Sequence, residues 1–181
     1  MNYGIYKNIR GASWQCLLDC GIDALPVPVG VLAKHYGITM LYDSDVHILS
    51  ANESGRLVFD NGSPLMIINN NQSVQRMRFT AVHELGHYVL GHLGESGALS
   101  RSHIKAPQEQ EADMFAARVL MPACVLWGLG VYEPQAIATI CNVSLQAATY
   151  RAKRLEVLRK RNKFLSDPLE RAVYNQFNKI Y

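Results

Sequence analysis

Arg78-Phe79-Thr80-Ala81-Val82-His83-Glu84-Leu85-Gly86-His87 carries the pattern H-E-x-x-H within a stretch of helical periodicity. At 3.6 residues per turn, positions i and i+4 lie about 40° apart around the axis, so His83 and His87 project side by side and can share one Zn²⁺. Glu84 falls roughly 60° from His87 by the same geometry, placed to take a proton from water at the metal without being a ligand. Val82, Leu85, Gly86, Val89 and Leu90 occupy the opposite face, with Thr80 beside the histidines and Phe79 at the boundary. A largely buried helix with one polar stripe is a rare place for chance histidines, and the motif points to metal-assisted hydrolysis.

Catalytic zinc takes three protein ligands and keeps a fourth position open, so a third ligand is needed. Downstream candidates are His92, Glu95, His103, Glu109, Glu111 and Asp113. On a wheel over the next helix, Asp113, Ala116 and Leu120 lie within about 40° of Glu109, while Glu111 falls near 200°, beside Arg118. Carboxylates on an apolar, small-residue face are costly unless paired or metal-bound, which singles out Glu109 as the third ligand, with Glu111 as the alternative. Asp113, one turn on from Glu109, is expected to accept a hydrogen bond from the free ring N–H of a ligand histidine and so fix its tautomer. Ala112 and Ala116 permit close approach of the two helices. His92 reads as a helix-end residue, and His35, His47 and His103, like it, as structural or surface positions.

Outward from this centre the chain reads as α+β. Residues 3 to 20 form an amphipathic helix stopped by Gly21, and Pro26 and Pro28 lead into a short second helix ending at Gly37. Ile38 to Tyr42 is a short β-type run. Asn61-Gly62 predicts a hairpin between 56–59 and 65–68, and strand 65–68 is expected to offer an edge on which an extended peptide can pair. Ser73 is the expected N-cap of the motif helix. Gly91, Gly94 and Gly97 break that helix, 93–106 is a Gly/Ser-containing loop, and a further helix runs from about Pro107 to Leu120. Helical segments near 134–141, 144–161 and 168–179 complete the chain, giving a domain over 1–130 and a helical extension over 131–181 packed on it.

With 181 residues, 49% hydrophobic and 18% charged, the chain is long enough for one domain with a substantial core and is not disordered. No apolar run approaches the ~20 residues of a membrane span, and no leader pattern opens the sequence, so a cytoplasmic protein is expected. Cys16, Cys20, Cys124 and Cys141 form no C-x-x-C pair; Cys16 and Cys20, four apart, read as small buried residues rather than ligands. From Arg151 to Lys163 seven Lys/Arg and one Glu give +6, leaving 3 − 6 = −3 for the rest of a chain whose net charge is +3. Ala138, Asn142, Ser144 and Ala148 have the spacing of a helix-turn-helix within 134–155, with Asn142 in the turn. The next helix carries Arg151, Lys153 and Arg154 as a DNA-binding helix would. A DNA-binding regulator with a structural or sensory zinc is therefore the rival reading, and a module that sequesters a repressor without cutting it is a third.

The stretches RFTAVHELGHYVLGH at 78–92 and EQEADMFAARVLMP at 109–122, in that order and separation, resemble the ImmA/IrrE-type zinc metallo-endopeptidases. The segment ASWQCLLDCGIDALPVPVGVLAKHYGI looks like that family's helical opening, so the resemblance spans about the first 155 residues. It implies a zincin-like core, with a small, mainly antiparallel sheet packed on the H-E-x-x-H helix, and one Zn²⁺ per chain. By position, His83 and His87 match the histidine ligands, Glu84 the acid/base and Glu109 the Glu ligand; no residue matches an oxyanion-stabilising role. The implied substrate is a helix-turn-helix repressor of a mobile element or stress regulon.

Overall fold

In the computed structural model, residues 3–92 and 106–178 are described. The expected loop over 93–106, with Gly94, Gly97, Glu95 and His103, lies almost wholly outside them. The elements run α1 (Tyr3–Asp19), α2 (Val29–His35), β1 (Thr39–Tyr42), α3 (Asp43–Val46), β2 (Gly55–Asp60), β3 (Ser63–Ile68), α4 (Val74–Val89), α5 (Ala106–Leu120), α6 (Ala123–Gly128), α7 (Pro134–Cys141), α8 (Leu145–Lys160) and α9 (Pro168–Phe177). No described helix is long and apolar enough to cross a membrane.

The sheet is mixed rather than mainly antiparallel. Its order is β1-β3-β2, with β2 and β3 antiparallel and β1 and β3 parallel. The hairpin follows from Asn61 and Gly62, both at positive φ (47° and 81°), as the tight turn matching strand twist requires. Because β1 pairs on the far side of β3, residues 65–68 are central. The free edges belong instead to β1 and β2, so 65–68 cannot pair an extended peptide.

Local signals fix the helices around the centre. The Ser73 side chain accepts from the Arg76 N–H and caps α4. At its other end Gly91, at φ 69°, reverses the chain, and the His92 N–H bonds back to the His87 carbonyl at 3.0 Å. Helix α5 lies along α4 with Ala112, Phe115, Ala116 and Val119 fully buried. Gly86 is what lets it come so close, since a Cβ there would sit 3.1 Å from the Phe115 ring and 3.3 Å from the Ala112 Cα. On the other side of α4, a Cβ at Gly55 would stand 2.6 Å from the Thr80 methyl, so only glycine allows β2 to lie this close to the helix.

The C-terminal helices are tied to the same frame. Arg78 of α4 donates to the carbonyls of Asn142 and Val27 at 3.1 and 3.0 Å. Gln75 donates to the Asn142 side chain at 3.1 Å. Asn142 itself adopts the left-handed conformation between α7 and α8. Of the three basic residues expected on a DNA-facing helix, Lys153 is exposed, whereas Arg151 is 8% exposed and Arg154 donates to the Tyr6 hydroxyl. The basic run is thus partly turned into the protein. All four cysteines are free; Cys16 is buried and Cys20 half-buried.

Candidate metal centre

Three side chains from two helices converge. His83 Nε2 lies 3.1 Å from His87 Nε2 and 3.2 Å from Glu109 Oε2, and His87 Nε2 lies 3.7 Å from Glu109 Oε1. One ligand atom from each of the three lies within 4.8 Å of the others, a set that could hold a metal ion. His83 and His87 come together by their i, i+4 spacing on α4. Glu109 reaches them because α5 presses against Gly86, one residue before His87.

The far sides of both rings decide whether these atoms suit a metal. His83 Nδ1 lies 2.9 Å from Asp113 Oδ1. An ionised carboxylate only accepts, so Nδ1 carries the proton and Nε2 of the neutral ring presents a bare lone pair. His87 reaches the same state through a longer chain. Glu111 Oε2 lies 3.1 Å from His92 Nε2, and His92 Nδ1 lies 3.0 Å from His87 Nδ1. Glu111 accepts from His92 Nε2, leaving His92 Nδ1 as the acceptor for the His87 Nδ1–H, so His87 Nε2 is also bare. Two lone pairs and a carboxylate therefore face one another, an arrangement that calls for a cation, and two imidazoles plus one carboxylate suit zinc.

The acidic groups around His83 favour positive charge at its ring, whether a proton or a metal ion that displaces it. Burial by itself favours its neutral form, but the hydrogen bond to Asp113 and the nearby charges of Glu84, Asp113 and Glu109 outweigh it and raise its pKa above the ordinary value. Glu84, 3% exposed, accepts from the Leu57 N–H of edge strand β2 at 3.2 Å. Strand and carboxylate are thereby locked beside the histidine pair.

His92 is the helix-end residue that the sequence suggests, but sequence reasoning missed its bond to His87 and the carboxylate of Glu111 behind it; together they form the support behind His87. The available signal was Gly91: a glycine closing a helix folds the next residue back over the last turn, where wheel arithmetic no longer applies. His35 and His47 are exposed, as expected of surface positions.

The peptidase family described as the IrrE N-terminal-like domain matches residues 33–153, which include all the residues of this centre. Residues 12–32, where the sequence also resembles the family's opening, lie outside that match. No curated protein matches the chain. With two thirds of its length matched and a metal-competent donor set at the family's motif, the chain belongs to the ImmA/IrrE-type metallopeptidases.

Proposed function

We propose that this chain is a zinc-dependent endopeptidase that hydrolyses a peptide bond in a protein substrate, with His83, His87 and Glu109 as ligands and Glu84 as acid/base. The observation that carries this reading is the convergence of one ligand atom from each of His83, His87 and Glu109 beside the buried carboxylate of Glu84 on α4. Zinc held there would supply Lewis-acid chemistry, polarising the scissile carbonyl and lowering the pKa of water toward ~7. Glu84 takes the proton of the attacking water and delivers it to the leaving amine. Asp113 holds His83, and Glu111 through His92 holds His87, so that neither imidazole turns its protonated nitrogen inward. Edge strand β2, anchored to Glu84 through Leu57, is the strand placed to align an extended substrate.

The substrate in this proposal is a helix-turn-helix transcriptional repressor of a mobile element or stress regulon, met in the cytoplasm; the family resemblance supports it. The rival, a DNA-binding regulator with a non-catalytic zinc, draws on the α7–α8 pair and its left-handed Asn142. Burial of Arg151 and the Arg154–Tyr6 bond weigh against it by withdrawing two cations from the surface.

The deciding experiment incubates the purified chain with the repressor encoded beside it, with and without a chelator, alongside Glu84→Gln. Cleavage by the wild type alone, abolished by chelation, is the expected result. Absence of cleavage together with salt-sensitive DNA binding by both proteins would install the regulator in its place.

A further inference from the structure

A cavity of about 780 Å³ opens between α4, α5 and α8 and adjoins the metal centre. It shares two residues with the surroundings of His83: Asp113, bonded to His83 Nδ1, and Phe79, whose ring centroid is 6.3 Å from that of His83. Farther along α5 its walls are apolar, with Met114, Ala117 and Val143, and beyond them stand Arg118, Arg151 and Arg154 around Tyr6.

The charges at that end do not balance. Arg154 donates to the Tyr6 hydroxyl, the Arg118 guanidinium lies 4.5 Å from the centroid of the Tyr6 ring, and Arg151 Nε donates to the Met121 carbonyl at 2.6 Å. Among the described residues none of the three arginines has a carboxylate partner. Burial, reinforced by the charge of Arg118, pushes Arg151 down to about 10. Burial alone would raise the Tyr6 pKa, yet Arg118 and Arg154 bring it below its ordinary value. A stack that merely pinned α1 to α5 and α8 would have no need of three unneutralised guanidiniums at the wall of an open cavity. Buried cations favour an anion, and guanidinium forks match a carboxylate.

Spacing relates this cluster to the reaction. Arg118 is nine residues beyond Glu109 on α5, a rise of roughly 13.5 Å along the axis and about half a turn around it, and the cavity wall follows that path from Asp113 to Arg118, so an extended peptide needs at least about four residues to cover it. We propose that this cavity is a substrate subsite in which Arg118 and Arg154, with the charge of the buried Arg151 behind them, bind an acidic side chain of the peptide at least about four residues from the bond cleaved. This rests on the endopeptidase reading and adds to it a substrate class: an apolar segment followed or preceded by Asp or Glu.

The test uses fluorescence-quenched dodecapeptides, identical except for a single Glu or Gln placed at successive positions. KM is measured on the full-length zinc-loaded chain, and Kd by anisotropy on zinc-loaded Glu84→Gln with fluorescein-labelled versions. At one position, about four or more residues from the cleaved bond, both constants should be about tenfold lower for Glu than for Gln, the range of a charge-assisted hydrogen bond. That ratio should fall to about one in Arg118→Gln and in Arg154→Gln. Arg154→Glu should transfer the preference to Lys at the same position, a gain that a misfolded variant cannot show. Equal treatment of Glu and Gln at every position, or a preference that survives both Arg→Gln changes, overturns the proposal. So does arginine-dependent binding of inorganic phosphate without any Glu preference among the peptides, which would make this a small-anion site. If no peptide is cut but Glu84→Gln still selects Glu through these arginines, the subsite stands and the endopeptidase reading fails.

Discussion

His92 places its Nδ1 3.0 Å from Nδ1 of His87, although the two residues are five apart and a continued helix would have carried the later ring away from the earlier one. The left-handed Gly91 makes the contact possible, and Glu111 at 3.1 Å from His92 Nε2 gives it a direction. A carboxylate on α5 thus sets the protonation of a ring on α4 through an intermediate histidine, while Asp113 does the same for His83 directly.

The relay should tune metal affinity without supplying a ligand. His92→Phe keeps the ring volume but removes the acceptor that holds the proton on His87 Nδ1. Glu111→Gln lets the amide donate to His92 and reverse the chain. Each is expected to weaken zinc binding by about 10–100-fold, as losses of ligand-orienting partners do. Competition against a chromophoric chelator measures this, and wild-type affinity in both variants would show the relay to be incidental.

Close approach of α4 and α5 should matter more for the metal than for folding. Gly86→Ala gains about 1 kcal/mol of helix propensity. The new methyl must displace Phe115 or the Ala112 backbone, 3.1 and 3.3 Å away, at about 1–3 kcal/mol. These nearly offset, so thermal stability should change little or fall slightly. Any outward shift of α5 carries Glu109 from the histidines, so zinc affinity should fall by more than the stability change implies. Gly86→Val, with two more carbons to place, should lose both. Unchanged zinc affinity in Gly86→Ala would mean that the helix spacing is not what positions Glu109.

How much of this was legible in the sequence depended on regularity. Helix α4 keeps its period between a Ser73 cap and a Gly91 stop, and α5 keeps its own over Ala106–Leu120, so wheel positions place Glu109 and Asp113 on one face, and the fold sets both against His83. His92 lay one residue past the stop, where the period fails. The short helices α3 and α6 have too few turns to show any period. The hairpin was announced by Asn61-Gly62, whereas the parallel pairing of β1 with β3 is a crossover with no local signature, which is why 65–68 reads as an edge and folds as the centre. Arg151 hides in a run of charges whose average behaviour is to face water; its burial depends on the Met121 carbonyl from a distant helix end.

Ligand identity can be read from stability as well as from activity. Zinc that binds the folded chain alone stabilises it by about 2.7 kcal/mol at a free concentration of 100 Kd. For a chain of this size that is a rise of roughly 5–10 °C in Tm. The rise should persist in Glu84→Gln, which retains all three ligands, and largely vanish in Glu109→Ala. Glu111→Ala should show an intermediate rise, because it removes only the support behind His87. A full rise in Glu109→Ala with none in Glu111→Ala would transfer the third ligand position to Glu111.

Glu170, at the start of α9, offers a test of electrostatics away from the metal. It is 5% exposed, and burial raises its pKa above the ordinary carboxylate value despite the opposing pull of Arg10 and of the Leu165 and Ser166 N–H groups. A carboxyl whose folded pKa is raised binds its proton more tightly in the folded state. Its favourable contribution is complete below the unfolded pKa and is lost as pH rises through the folded one. At neutral pH the wild type therefore carries the unfavourable burial of a charge that Glu170→Gln removes, while the glutamine oxygen can still accept from the same N–H groups. The variant should be more stable than the wild type at pH 7, and the difference should shrink toward zero as the pH falls to about 4. Urea unfolding of both metal-free proteins at the two pH values measures it; a variant less stable at pH 7 would show that the charge of Glu170, through Arg10, holds α9 in place.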